Sequence, residues 1–134
     1  MYLYLITKLK NGFVEVTRID GTQMSFMVPH MLPGVDTNVE FSVSGVGTPG
    51  QQALAITLLI DAGVLPEVAE LLYKAFDRDC LGHFRQGKFW VLHTIDILQW
   101  TISAMHQAMM QDLEKLVDDI LTKRMREGGD PSVN

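Results

Sequence analysis

From Val39 to Ile56 the chain reads Val-Glu-Phe-Ser-Val-Ser-Gly-Val-Gly-Thr-Pro-Gly-Gln-Gln-Ala-Leu-Ala-Ile, and its hydrophobic period changes midway. Val39, Phe41 and Val43 alternate with Glu40, Ser42 and Ser44, the two-residue period of a strand with one wet face. After Gly45 the alternation stops. Thr48-Pro49-Gly50-Gln51 has the form of a capping box with proline at the first helical position: Thr48 accepts from the Gln51 amide, and the Gln51 side chain reaches back. Gln52 to Ala62 is nearly all apolar, which predicts a helix buried on most sides, and Gly63 is its stop. Strands before this point and helices after it are the segregated order of an α+β domain.

Upstream, Tyr2 to Leu9 is rich in aromatic and aliphatic residues and ends at Asn11-Gly12, a strong hairpin signal because both residues tolerate positive φ. Phe13 to Ile19 is a second strand, Asp20-Gly21 a second tight turn, and Gln23 to Val28 a third strand, together an antiparallel meander. Pro29 and Pro33 interrupt pairing, so Pro29 to Asn38 is a loop. Downstream, Pro66 opens a second helix. Its predicted inner stripe is Val68, Leu71, Leu72, Ala75 and Phe76, with Glu67, Glu70 and Lys74 toward water. Gly82 to Gly87 is a break, and Lys88 to Leu92 a short fifth strand.

Thr94 then caps a long helix. Ile95, Leu98, Ile102, Met105 and Met109 follow three- and four-residue spacing, continued by Leu113, Leu116, Val117, Ile120 and Leu121. A helix reaching Arg126 is roughly 45 Å long at 1.5 Å per residue. That is about the span of a domain this size or more, so its last half is expected to project or to pack on another subunit. Gly128-Gly129-Asp130-Pro131 ends it. The expected fold is an antiparallel sheet of four to five strands packed against three helices, the last long. It forms one domain: sheet-rich over 1–45, helical over 48–126, with a frayed tail over 127–134.

Composition narrows the function classes. The chain has 134 residues, of which 47% are apolar and 20% charged, so it is globular rather than disordered. Sixteen acidic against eleven basic residues give a net charge of −5, which disfavours a phosphate-tracking nucleic-acid binder. A single cysteine excludes an internal disulfide and a multi-cysteine zinc site. There is no membrane-length apolar run, and the first residues lack a basic region and a cleavage site. The expectation is therefore a cytoplasmic protein that does not engage a membrane.

Gly45-Val46-Gly47-Thr48-Pro49-Gly50 matches G-x-G-x-x-G literally, but the dinucleotide fingerprint needs a parallel βαβ unit and an acid at the end of the next strand. Here hairpin-linked strands precede the string and a second helix follows it. What survives is a glycine-rich turn entering a helix, where amide N–H groups and the helix dipole favour an anion. The same string also serves as a tight strand-to-helix connection. The candidate ligand residues are Gly45, Gly47, Thr48, Gly50 and Gln51, with Arg78, Arg85 and Lys88 as counter-charges. His83 belongs to the same local basic cluster, which alternatively caps the C-terminus of the second helix. Cys80-x-x-His83 is at most half a metal site, since His30, His93 and His106 are scattered. No serine or cysteine nucleophile signature is present. No enzyme activity, metal or cofactor is expected.

Trp90 and Trp100 read as core anchors. Met105, Met109, Met110 and Met125 on the last helix, with Met24, Met27 and Met31 near strand three, suit an adaptable interface. Met105, Met109, Leu113, Leu116 and Ile120 are the candidate oligomer face.

The run from Gly47 to Ile56, followed by Phe76 and then Trp90-Val91-Leu92…Ile97-Leu98-Gln99-Trp100, resembles an uncharacterised domain-of-unknown-function family found in bacteria, plasmids and phages. That family has a Gly-Ser-Gly-Pro turn before a Leu-Ala-Leu-Ala-Ile helix, and the likeness covers residues 39–100. Ser42, Val43 and Ser44 stand here where the family has aromatics, and the small residues of the turn are shifted. The resemblance implies a mobile-element setting. Two expectations follow. The first is a binding protein that holds a small phosphorylated, nucleotide-like ligand at the glycine turn, as a sponge against a host immune signal. The second is a protein–protein inhibitor or adaptor of the anti-CRISPR kind, acting on a host defence protein through an acidic surface or the Met-rich helix. A homo-oligomer is expected in either case.

Overall fold

The turn chemistry upstream becomes a meander. The structure, a computed structural model, describes residues 1–84 and 87–128. Strand β1 (Leu3–Lys8) pairs antiparallel with β2 (Val14–Asp20), and β2 pairs with β3 (Gln23–Phe26). At the first turn Asn11 and Gly12 take φ of 64° and 81°, the left-handed conformation that this dipeptide admits. Strand β4 (Phe89–His93) joins the free edge of β1, also antiparallel, giving the order β3-β2-β1-β4. Three helices complete the α+β fold: α1 (Pro49–Asp61), α2 (Pro66–Phe76) and the long α3 (Thr94–Gly128).

One expected strand is not a strand. Residues 39–43 make a single bridge, Phe13 with Ser42, and join no ladder. Phe41 O accepts from Val14 N at 3.0 Å, Val43 N donates to Gly12 O at 3.0 Å, and Ser42 N donates to Gly50 O at 3.3 Å. The segment is thus held between the start of β2 and the first turn of α1. Both of its faces are covered there: Phe41, Ser42 and Val43 are all buried, so Ser42 does not take the wet side that alternation predicts.

Alternation on β1 and β2 puts Tyr4, Ile6, Val14 and Val16 on one sheet face. They share a core with Ala53, Leu54, Ile56, Leu58 and Leu59 of α1. As predicted, α1 is buried on nearly every side. Each such aliphatic side chain contributes about 1.5–3 kcal/mol when fully buried. The fully buried residues of α2 are Ala69, Tyr73 and Phe76; Val68 and Leu72 of the expected stripe pack half-buried against the core, whereas Leu71 is 82% exposed. Phe76 belongs to both sets, and its ring meets Trp100 edge-on at 5.1 Å. Trp90 stacks on Phe84 at 4.9 Å, so both tryptophans serve as anchors.

The chain divides into two compact units, Met1–Thr101 and the residues from Ile102 on. Among the described residues, all the buried side chains lie in the first unit. It includes the first turns of α3, where Ile97 and Thr101 face inward and Thr94 Oγ1 accepts from Tyr2 N at 2.8 Å. The core face of α3 is therefore Ile97 and Thr101, with Leu98 of the predicted stripe and Trp100 packed half-buried against the core, whereas Ile95 and Ile102 of that stripe are exposed. The second unit is the remainder of α3. Among its described residues every side chain to Glu127 except Ala104 is exposed.

Candidate functional site

The glycine turn has the backbone that an anion loop needs. Gly45 and Gly47 take φ of 148° and 86°, and Thr48 closes the turn by donating its hydroxyl to Gly45 O at 2.6 Å. That bond replaces the expected capping box, because Thr48 makes no side-chain bond to the helix amides. Gln51 turns away from the cap as well. Its Oε1 accepts from Gly45 N at 3.1 Å, and its Nε2 donates to Asp77 Oδ1 at 2.7 Å. Asp77 Oδ2 in turn accepts from Gly47 N at 2.8 Å.

The turn therefore closes on an anion from its own chain. Asp77 is 1% exposed and lies beside the first turn of α1, where the helix dipole favours negative charge. It is delivered by a single π-helical turn, Asp77–Leu81, that extends α2. Gly50 has a separate reason to be glycine: a Cβ there would collide with Ser42 Oγ and stand 2.8 Å from Glu40 O. The turn thus brings α1 close against residues 40–42.

Of the expected counter-charges, Arg78 and Lys88 make no hydrogen bond to this turn. Arg78 is exposed and donates through Nε to its neighbour Asp79 at 2.9 Å. Lys88 is exposed in the segment before β4, and Lys8 N donates to its carbonyl at 2.9 Å. Arg85 lies outside the described residues, as do residues 129–134 of the expected tail. Burial, with the Asp79 charge adding to it, raises the Cys80 thiol to about 11. It is protonated at neutral pH and a weak nucleophile. Among the described residues no cluster of three His, Cys, Asp or Glu side chains is arranged to hold a metal.

A second polar cluster was not singled out from the sequence. Asp61 closes α1, where its charge opposes the helix dipole. Arg18 Nη1 answers it at 2.7 Å, Tyr4 donates its phenol at 2.7 Å, and the guanidinium also lies 4.8 Å from the Tyr2 ring centroid. Burial and the bond to Asp61 hold the Tyr4 phenol well above its ordinary range. Arg18 and Asp61 border a polar hollow of about 180 Å³ with His30 and Thr57, and His30 N donates to Thr57 Oγ1 at 2.9 Å. The signal in the sequence was a carboxylate ending an apolar helix, which needs a cation from elsewhere. This cluster fastens the sheet to α1, with its charges already matched.

Two surfaces among the described residues leave apolar side chains exposed. One is the sheet face opposite the core. Register places Met24, Ile19 and Leu3 in one row and Phe26, Thr17, Leu5 and Val91 in the next. Met24, Phe26 and Val91 are exposed, whereas Leu3, Leu5 and Ile19 are half-buried and Thr17 is buried. The other is α3 from Ile102 onward. Ile102 is 67% exposed, Met109 68% and Leu116 56%, and Met105, Leu113 and Ile120 are also exposed. These include all five residues expected at an oligomer face. No described helix is long and apolar enough to cross a membrane. Comparison with protein-family models, with curated proteins and with solved structures finds no match to this chain.

Proposed function

We propose that this chain is a non-enzymatic protein–protein interaction module whose working surface is the apolar face of α3 beyond Thr101. One observation carries the reading: an amphipathic helix from Ile102 to Gly128 exposes its isoleucine, leucine and methionine side chains along its length. Most helical stability in proteins comes from packing an amphipathic face, and contiguous bare apolar surface marks association sites. Methionine adds adaptability to such a surface. In the mobile-element setting that the family resemblance implies, the assembly that this face builds acts on a host defence protein. The phosphorylated-ligand reading is less well supported, since a ligand phosphate at the turn would have to displace Asp77 from Gly47 N and Gln51 Nε2.

The test is quantitative affinity capture from a defence-carrying host with tagged protein and with a Leu113→Asp, Leu116→Asp double variant. The variant is expected to keep the near-ultraviolet dichroism of its buried core and to lose the proteins that the native chain captures. A double variant that retains every interactor overturns the proposal.

A further inference from the structure

The charges beside the apolar face of α3 carry a further reading, which rests on the proposal that this face is an interaction surface. Ile102, His106, Met109, Leu113, Leu116 and Ile120 are spaced 4, 3, 4, 3 and 4 residues apart, the alternation of a heptad seam. His106, Leu113 and Ile120 hold one seam position; Ile102, Met109 and Leu116 hold the other. All six are exposed in the second compact unit. Flanking residues in a coiled coil set partner and orientation. On one side they are Met105, Asp112, Asp119 and Arg126; on the other, Ser103, Met110, Val117 and Arg124.

We infer that the occupant of this face is a second copy of the chain, packed parallel and in register as a two-stranded coiled coil. In that arrangement each flanking residue on the first side faces the one five positions later on the second copy. Asp119 then meets the second copy's Arg124, and Met105 meets its Met110, each twice by symmetry. His106 faces its own equivalent, so the one polar layer stays with itself, a device that fixes register.

Antiparallel packing fails on the same residues. With Leu113 set against Leu116 of the second copy, Asp112 faces Asp119 twice and His106 faces Lys123. A slide of one heptad one way sets Asp112 against Asp112; the other way sets Asp119 against Asp119, with Asp112 against Arg126 on either side. Each antiparallel register near full overlap therefore carries a carboxylate pair that the parallel one avoids. The seam stops after Ile120, where its next position is Lys123, whose stem can lie along the helix while its ammonium stays in water.

Sedimentation equilibrium on the full chain and on three charge variants tests this. The native chain is expected to be a dimer. Asp119→Arg sets two cations against each other in the parallel pair and is expected to weaken dimerisation about tenfold at low salt. Arg124→Asp is expected to do the same, and the double exchange to restore native affinity. A dimer that Asp119→Arg tightens overturns the parallel arrangement while leaving the interaction surface in place, since only antiparallel packing gains from removing that carboxylate. A native chain that is monomeric at all concentrations overturns the second copy as occupant; the capture experiment then decides the interaction surface separately.

Discussion

Helix α1 and the part of α3 beyond Thr101 are made of similar apolar residues and meet opposite fates. In α1, Leu54, Leu58 and Leu59 are wholly enclosed between the sheet, residues 32–43 and α2. Beyond Thr101, Leu113, Leu116 and Ile120 are exposed. The difference teaches that helical periodicity identifies a face to be covered but does not say by what. For α1 the cover is in the same compact unit. For the end of α3 the cover is, on the reading above, another polypeptide.

The sharpest way to break that contrast is paired truncation. Leu54→Ala is expected to lower unfolding free energy by about 2–5 kcal/mol, because a closed core cannot collapse around the void. Leu116→Ala should leave the urea midpoint of the tryptophan signal within about 0.5 kcal/mol at concentrations where the chain is dissociated. Trp90 and Trp100 both report on the first unit. Comparable losses from the two substitutions would mean that the two helices are covered alike. Ending the chain after Ala108 is expected to preserve that same unfolding transition, since among the described residues all the buried side chains lie at or before Thr101.

Next in size is the clasp between sheet and α1. Asp61→Ala leaves the Tyr4 phenol and the Arg18 guanidinium without their acceptor and should cost about 2–4 kcal/mol by chemical denaturation. Arg18→Ala should cost less, because Tyr4 keeps its bond. Asp77 comes after it. Removing its carboxylate strands the Gln51 amide and Gly47 N in a buried place, at about 1–3 kcal/mol for Asp77→Ala. Inorganic phosphate should raise the melting temperature of that variant and leave the native chain unchanged. If phosphate instead stabilises the native chain, and Gly47→Val abolishes the effect, the glycine turn is a working anion site after all.

The smallest expected effect is at high pH. The Cys80 thiol, ordinarily near 9.0, is raised to about 11 by burial and by Asp79, so the folded state holds that proton more tightly than the unfolded chain does. Its contribution to stability is full below pH 9 and is lost as pH rises toward 11. Cys80→Ala should flatten that part of the alkaline limb, and alkylation of the native thiol should accelerate with a midpoint near the raised value rather than the ordinary one.

Much of the fold was legible because it rests on local rules. Asn11-Gly12 and Asp20-Gly21 can hardly be anything but tight turns, and an apolar run from Ala53 to Ile60 can hardly be anything but central. What was misread depended on neighbours distant in sequence. Ser42 alternates as a surface residue but lies under Gly50. Leu71 belongs to a plausible stripe, yet the buried face of α2 centres on Ala69, Tyr73 and Phe76 and leaves it outside. The glycine turn was legible as an anion-friendly backbone. That Asp77 is the anion at it was not, because 30 residues and a π-helical turn separate Asp77 from Gly47.

By itself, then, the sequence determined the order of elements, the turns, the burial of α1 and the existence of an apolar face on α3, all consequences of backbone sterics and hydrophobic period over a few residues. Only the tertiary structure decided that β4 completes the sheet at the edge of β1, that Asp61 and Asp77 are neutralised or satisfied within the chain, and that the face beyond Thr101 is left bare. Those outcomes depend on which surfaces meet through space, and residue order constrains that only after the elements have packed.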